Sequence, residues 1–436
     1  MPVTAIHLGE PPPARPGNVA FLANLHHIFF DNQVLTDELR RTVRTLDSYG
    51  GRLLPILGLL WGGDDNTLIL EREPLDGFRD YFRNTLGLRL PRLLRFDPDE
   101  PLDPEISTAI RATPDCAIDG FVTDKQLAKL SEQSETPLAG SVAGSRNGND
   151  KALIHHHLAK LGEPVFDTID VNAPTGVPDA AAALARRGFT RAVIKSRIGA
   201  SGIGLVRFET AHPPDIPPHY FLDGPCLVQG WIDATLPEVT GVASPSVQLM
   251  LTDDALHLYD LTDQILGTDS IHQGNISPPE SVTDPGLRNE ILRQAEIAAH
   301  WLHSLGYRGT GSADFHLAFL TNGAVEVRIC EINARVTGAT YPSILARHFH
   351  PGGAWLMRNL LLPEPVASTA VFNKLSAAGL LYVPGAPLGV LPVNFNATPD
   401  GRVEKGQFLV LGPDHDSTRT TLESILSLDN LQFVRD

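Results

Sequence analysis

Two acidic residues in one stretch of chain are placed to do chemistry. From Ser312 to Arg335 the sequence reads SADFHLAFLTNGAVEVRICEINAR, with alternating apolar residues on both sides of Asn322-Gly323. Asn-Gly between alternating runs is the strongest short signal for a two-residue hairpin turn. In that register Thr321 pairs with Ala324, and Asp314 falls opposite Glu331. Directly opposed residues on antiparallel strands hold their Cβ atoms about 4.5–5.5 Å apart, where like charges repel. Two carboxylates so placed call for a cation between them. Side chains alternate along a strand, so Asn333 and Arg335 share the face of Glu331. Hard oxygen donors beside an arginine suit a Mg²⁺ ion that carries phosphate groups.

Composition limits the partners. A chain of 436 residues accommodates roughly two to four domains of about 100–200 residues. The net charge is −16 and no Lys/Arg-rich run stands out, which argues against nucleic acid or an anionic membrane. The 3 cysteines (Cys116, Cys226 and Cys330) lack CxxC spacing, so neither structural disulfides nor zinc are expected and a reducing cytoplasm is the natural setting. No apolar run reaches the roughly 18–20 residues that span a bilayer, and the N-terminal stretch has no signal-peptide core.

The elements that position the acids follow in order. Asn18–Leu25 reads as a strand, Asp37–Tyr49 as a helix with its apolar stripe at 39, 43 and 46, and Arg52–Trp61 as a second buried strand. This order suggests a parallel α/β unit. A further strand is expected from Ala117 and a capped helix over Asp124–Glu132. His26 and His27 follow the first strand, where open α/β sheets often hold ligands, although two ordinary polar residues at a strand end fit as well. The Gly/Asn-rich stretch Ser141–Asp150 is the best candidate for a domain boundary. The spacing predicts domains at 1–145, 146–370 and 371–436, the last a small β-rich unit.

The middle of the chain carries features suited to phosphate. Asp150 caps a helix that opens on Lys151 and ends at Gly162. A strand ending in Lys195 then runs into a loop with Gly199, Ser201, Gly202 and Gly204, and a second strand follows. Glycines let backbone N–H groups approach phosphate oxygens, and a lysine adds a point charge. The order differs from a P-loop, a dinucleotide fingerprint and a protein kinase. The apolar strand at 225–232 can present main-chain groups of Gln229 and Gly230 to an adenine edge, with Trp231 and Ile232 as walls. Glu238 can accept from ribose hydroxyls.

Four segments, taken together, resemble the ATP-grasp superfamily: NDKALIHHHLAKLGEPV, VIKSRIGASGIG, LVQGWID, and the pair SADFHL and CEINAR. The N-terminal α/β unit, PSVQ at 245–248, GATYPS after the ExNxR run and YVPGAPLGVLP are similar to the pheganomycin-type peptide ligases. The resemblance implies an ATP-grasp fold of α/β class, with a Rossmann-like domain before it and a small β-rich unit after it. It implies Lys151 and Lys195 on the ATP phosphates under the Gly199–Gly204 loop, and adenine at Gln229–Ile232. Glu238 would hold the ribose. Asp314, Glu331 and Asn333 would ligate one or two Mg²⁺ (or Mn²⁺), with Arg335 beside an acylphosphate. Gln229-Gly230 departs from the usual acid and lysine, and Ser312 stands where some relatives carry arginine.

The implied reaction joins an amino acid-like carboxylate donor to an amine or the N-terminus of a peptide, with His272 placed to orient a substrate. A small-molecule dipeptide ligase, a non-catalytic nucleotide sensor and a kinase on the same fold stay open at this stage, as does a homodimer.

Overall fold

The run at Asn18 is apolar without alternation because it lies inside a sheet covered on both faces. Asn18–Leu22 is wholly buried in a parallel sheet ordered Arg92–Arg95, Thr67–Leu70, Asn18–Leu22, Cys116–Gly120. The computed structural model describes residues 2–43, 49–200, 202–267, 272–428, 431 and 433–435. The helix expected over Asp37–Tyr49 runs Gln33–Val43, and residues 44–48 lie outside those described. Lys125–Ser134 is the expected capped helix, with the Asp124 side chain accepting from Leu127 N at 3.0 Å.

One element differs from expectation. The run Arg52–Trp61 is not a strand. It forms a 3-10 turn at Gly50–Leu53 and a short helix at Leu57–Leu60, and the strand comes later at Thr67–Leu70. A short, fully apolar run has no period that separates a buried strand from a buried helix. Pro55 also lacks the N–H that a central strand needs. The stretch Ser141–Asp150, the candidate domain boundary, is itself folded. The Ser141 hydroxyl accepts from Gly144 N at 2.9 Å and starts a helix at Val142–Gly148.

A second, antiparallel sheet is ordered Thr168–Val171, Cys226–Gly230, Arg191–Ala200, Ile203–Glu209. Its apolar side shares one buried cluster with Ile28, Phe29, Leu35 and Leu39 of the segment after the first strand. Among the described residues the third sheet has 11 strands, and it carries the two acids. Gly309–Leu320 lies between Pro245–Leu251 and Val325–Asn333. Farther across, Ala255–Leu266, His272–Ser277 and Ala354–Val366 follow, and the C-terminal strands Gly389–Ala397 and Val403–Gly412 extend the same sheet. The helix Pro285–Ser304 packs Ile291, Ala295, Ala298, Ala299 and Leu302 against Val247, Leu249, Ala313 and Phe315 on this sheet. No helix among the described residues is long and apolar enough to cross a membrane.

One buried ion pair fixes the helix Thr340–Phe349 on the large sheet. Arg347 and Asp260 are 3% and 1% exposed and meet at 2.8 Å. Trp355 Nε1 donates to the second Asp260 oxygen at 3.1 Å, and Arg347 Nη1 donates to Gly353 O at 2.7 Å. Removing one partner strands the other charge in the core, which costs about 3–5 kcal/mol. Asp260→Ala is therefore expected to lower the urea-unfolding free energy by that amount, and a loss below about 1 kcal/mol would contradict the account.

Candidate active site

The hairpin that carries the acids is built differently from the simplest reading, yet it brings the same two residues together. Its turn has three residues, not two: Leu320 N donates to Ala324 O, and Gly323 N to Leu320 O, both at 2.9 Å. Gly323 has φ +84°, the left-handed position that closes such a loop. From the turn the strands pair Phe319 with Val325 through Phe315 with Ile329. That register would put Cys330 opposite Asp314 and turn Glu331 to the other face. A bulge corrects it. Cys330 is the extra residue, after which Asp314 pairs with Glu331 and Ser312 with Asn333.

At about 5 Å and an effective dielectric of about 20, two unit charges repel by about 3 kcal/mol. The chain offsets this with donors and cations. Asp314 Oδ1 accepts from Ser246 Oγ at 2.7 Å and Ser312 Oγ at 2.9 Å, and Oδ2 from Asn333 Nδ2 at 2.9 Å. These bonds do not win. Burial and the neighbouring Glu331 push the Asp314 carboxyl up to about 6. Glu331 goes the other way. Burial opposes its charge, but Lys151, Arg335 and Lys195 together hold it below the usual range. Arg335 Nη2 donates to Asn333 Oδ1.

Lys151 joins three elements. Its Nζ lies 3.0 Å from Glu331 Oε2 and donates to Gly199 O at 2.8 Å. It opens the helix Lys151–Leu161, whose cap Asp150 accepts from Ala152 N at 3.0 Å and Leu153 N at 3.2 Å. Asp150 also pairs with Arg197 at 2.7 Å, tying the helix start to the glycine-rich hairpin. In that hairpin Gly204 has φ +80°, and a Cβ there would lie 2.1 Å from Ser196 Oγ. Ser201 lies outside the described residues, while Gly202 sits at the hairpin turn.

Lys195 faces the same interior. Its Nζ lies 5.5 Å from the centroid of Phe166, and burial pushes its pKa down. Lys151, Lys195, Gln229 and Cys330 line an enclosed gap of about 10 Å³. Gln229 Nε2 donates to Thr168 Oγ1 at 3.0 Å, whereas its buried Oε1 has no hydrogen-bond partner among the described residues. Gly230 packs on Phe189, where a Cβ would come within 2.6 Å of the ring. Ile232 joins an apolar cluster with Phe166, Leu236, Val239 and Ala318. Trp231 is held elsewhere, by Asp233 at 2.8 Å and under Arg207. Two residues stand apart from the acids. Glu238 is exposed beside the hairpin tip, where its carbonyl accepts from Thr321 N. That is about 20 Å along the strand from Asp314. His272 lies near Gly338, three residues beyond Arg335.

Ser246, Gln248, Ser312 and Asn149 complete the arrangement without having been assigned roles from sequence. Gln248 Nε2 donates to Ser246 Oγ at 2.9 Å. The Asn149 side chain bonds both the N–H and the carbonyl of Ala334 at 3.2 Å. Alternation on Pro245–Leu251 could have placed Ser246 and Gln248 on one face. Nothing in the sequence says that this strand neighbours Asp314.

Known proteins share this fold. Solved structures align over nearly the whole chain. N5-carboxyaminoimidazole synthetase from Staphylococcus aureus, complexed with ADP, gives a TM-score of 0.56 at 13% identity over 96% of this chain and 99% of that one. Biotin carboxylase from Campylobacter jejuni gives 0.57 at 13% identity over 95% and 92%. The chain has the ATP-grasp fold. A curated relative of this ATP-grasp chain, the [butirosin acyl-carrier protein]–L-glutamate ligase of Niallia circulans, is 27% identical over 285 residues. The match covers 63% of this chain and 62% of that protein's length. No family model matches.

The acid pair sets a stability cost. A carboxyl whose folded pKa exceeds its unfolded value of 3.8 contributes stability below that value and loses it as pH rises through about 6. Ionised Asp314 thus destabilises the metal-free protein at neutral pH. Asp314→Asn is expected to raise the melting temperature at pH 7.5 and to flatten the decline between pH 4 and about 6. A variant less stable than wild type at pH 7.5 would contradict this.

Proposed function

We propose that this ATP-grasp chain is an ATP- and Mg²⁺-dependent carboxylate–amine ligase that works through an acylphosphate. The observation that carries the reading is Lys151, which bonds the glycine-rich hairpin and Glu331 together beside Asp314. Asp314, Glu331 and the Asn333 amide are an all-oxygen donor set short of a full cage. Among the described residues no group of three or more acids, histidines or cysteines could hold an ion. Phosphate oxygens and water would complete the coordination, as is usual for Mg²⁺. The ion would supply charge neutralisation on the β- and γ-phosphates. The unpartnered Gln229 Oε1 supports a nucleotide against the strand Cys226–Gly230, since an exocyclic adenine amine would donate to it.

The chain's own residues account for the rest. Lys151 and Lys195 bind phosphate oxygens, and the glycine-rich hairpin covers them. A substrate carboxylate oxygen attacks the γ-phosphorus, ADP leaves, and a mixed anhydride forms. An amine then attacks its carbonyl carbon, the C–O bond to phosphate breaks, and the amine proton passes to solvent. Arg335, on the face of Glu331, neutralises charge on the phosphoryl group and then on the carbonyl oxygen. Water exclusion by the closed hairpin protects the anhydride.

The acceptor we favour is the N-terminus of a peptide, with an amino acid-like acyl donor, in a secondary-metabolite pathway. One observation favours a second reading. The curated relative is named for an acyl-carrier protein, so a carrier protein is the alternative acceptor. ADP release is expected to require a carboxylate and an amine together, with an amide product by mass spectrometry. Glu331→Gln is expected to cut turnover by at least about a hundredfold while circular dichroism is unchanged. ADP formation indifferent to the amine, or a fully active Glu331→Gln, would refute the ligase reading.

A further inference from the structure

A cationic cluster lies beyond Arg335, between the N-terminal parallel sheet and the large sheet. The Gly50–Leu53 turn is held against the end of Thr67–Leu70 by Gly50 N, which donates to Glu71 Oε1 at 3.2 Å. From this turn the Arg52 guanidinium carbon reaches 5.8 Å from the centroid of Tyr341. Tyr341 sits in the first turn of Thr340–Phe349, just after the loop containing Gly338. A Cβ on Gly338 would meet His272 Cε1 at 3.1 Å. His272 Nε2 bonds Asn275 Oδ1 at 2.7 Å, and the neighbouring strand contributes Arg358, paired with Gly274 and 3.4 Å from Gln273 Oε1. Burial, then Arg52 and Arg358, push the His272 pKa down, so both guanidinium groups bear on that ring.

Arg52 at Tyr341 and His272 at Gly338 thus flank one short loop, and Arg358 lies on the strand beside that of His272. Arg52 makes no ion pair or hydrogen bond with any described residue, and its Nε is buried. A half-buried guanidinium without an acceptor is costly, because its donors have lost water and gained nothing. An anionic oxygen group would supply what is missing, and a planar guanidinium fork suits carboxylate or phosphate. Gly338 is three positions beyond Arg335, a reach of at most about 10 Å. A short diacid spans a distance of that order.

We propose that Arg52, with Arg358 and His272 beside it, binds a second anionic group of the carboxylate substrate, remote from the carboxyl that reacts. The acyl donor then carries two anionic groups, as a dicarboxylate or an acidic amino acid does. This inference rests on the ligase reading and deepens it.

The test is ADP release with hydroxylamine as the amine, comparing glutarate, L-glutamate and 4-phosphonobutyrate with monomethyl glutarate. Wild type is expected to favour a two-anion acid over the monoester by roughly thirtyfold or more in kcat/KM, the size of one charge-assisted hydrogen bond. Arg52→Gln is expected to collapse that ratio through KM for the acid, with KM for ATP unmoved, and Arg52→Lys to recover part of it. Preference for a carboxylate or for the phosphonate identifies the group bound. Equal use of one- and two-anion acids by wild type, or an unchanged ratio in Arg52→Gln, overturns the proposal. If no acid supports ADP release, the ligase reading fails by itself. The subsite is then read by calorimetry, where the three two-anion acids bind wild type and lose affinity in Arg52→Gln, and equal or absent binding in both overturns it. Arg358→Gln is read in the same way should Arg52→Gln melt early.

Discussion

The structure is organised by the cost of holding Asp314 opposite Glu331. The two side chains meet because Cys330 bulges out of the strand, and that bulge is what turns Glu331 to the face of Asp314. A sheet does not hold two facing carboxylates without compensation. The compensation is asymmetric. Asp314 receives neutral donors from Ser246, Ser312 and Asn333 and stays hard to ionise, whereas Glu331 receives cations and ionises readily. Environments that push two acids apart in this way are a mark of sites that handle charge.

That pair also explains how separate sheets are held at one place. Lys151 belongs to a helix start, accepts its position from the Asp150 cap, and bonds outward to the glycine-rich hairpin and to Glu331. Asn149, two residues earlier, pairs with the backbone just after Asn333. The helix start is therefore fixed to the large sheet on one side and to the antiparallel lobe on the other. Behind it, the small-residue face of Pro285–Ser304 gives the sheet a rigid backing. Side chains supported in this way keep the geometry that charge stabilisation needs.

The antiparallel lobe does not stand alone. Ile28, Phe29, Leu35 and Leu39 from the N-terminal segment complete its apolar core. The N-terminal sheet likewise lends Arg52 to the cleft through a turn that replaced an expected strand. Both contributions come from connections that follow parallel strands, the edge at which open α/β sheets place their binding groups.

Much of this was legible in the sequence, and what was not has physical causes. Local signals determined the helix at Lys151 with its Asp150 cap and Gly162 stop, the hairpin strands around Asn322-Gly323, and the glycine-rich hairpin after Lys195, because caps, turns and alternation act over a few residues. The same signals misread Arg52–Trp61, whose uniform apolarity has no period. The facing of Asp314 and Glu331 was reached by assuming a two-residue turn, and the real register arrives there through a longer turn and a bulge. Only the tertiary structure decided which strand lies beside Asp314, where Lys151 points, and that Arg52 meets Tyr341 while His272 meets Gly338. Those are pairings between residues far apart in the chain, set by how sheets stack and bury their faces, and no local pattern encodes them.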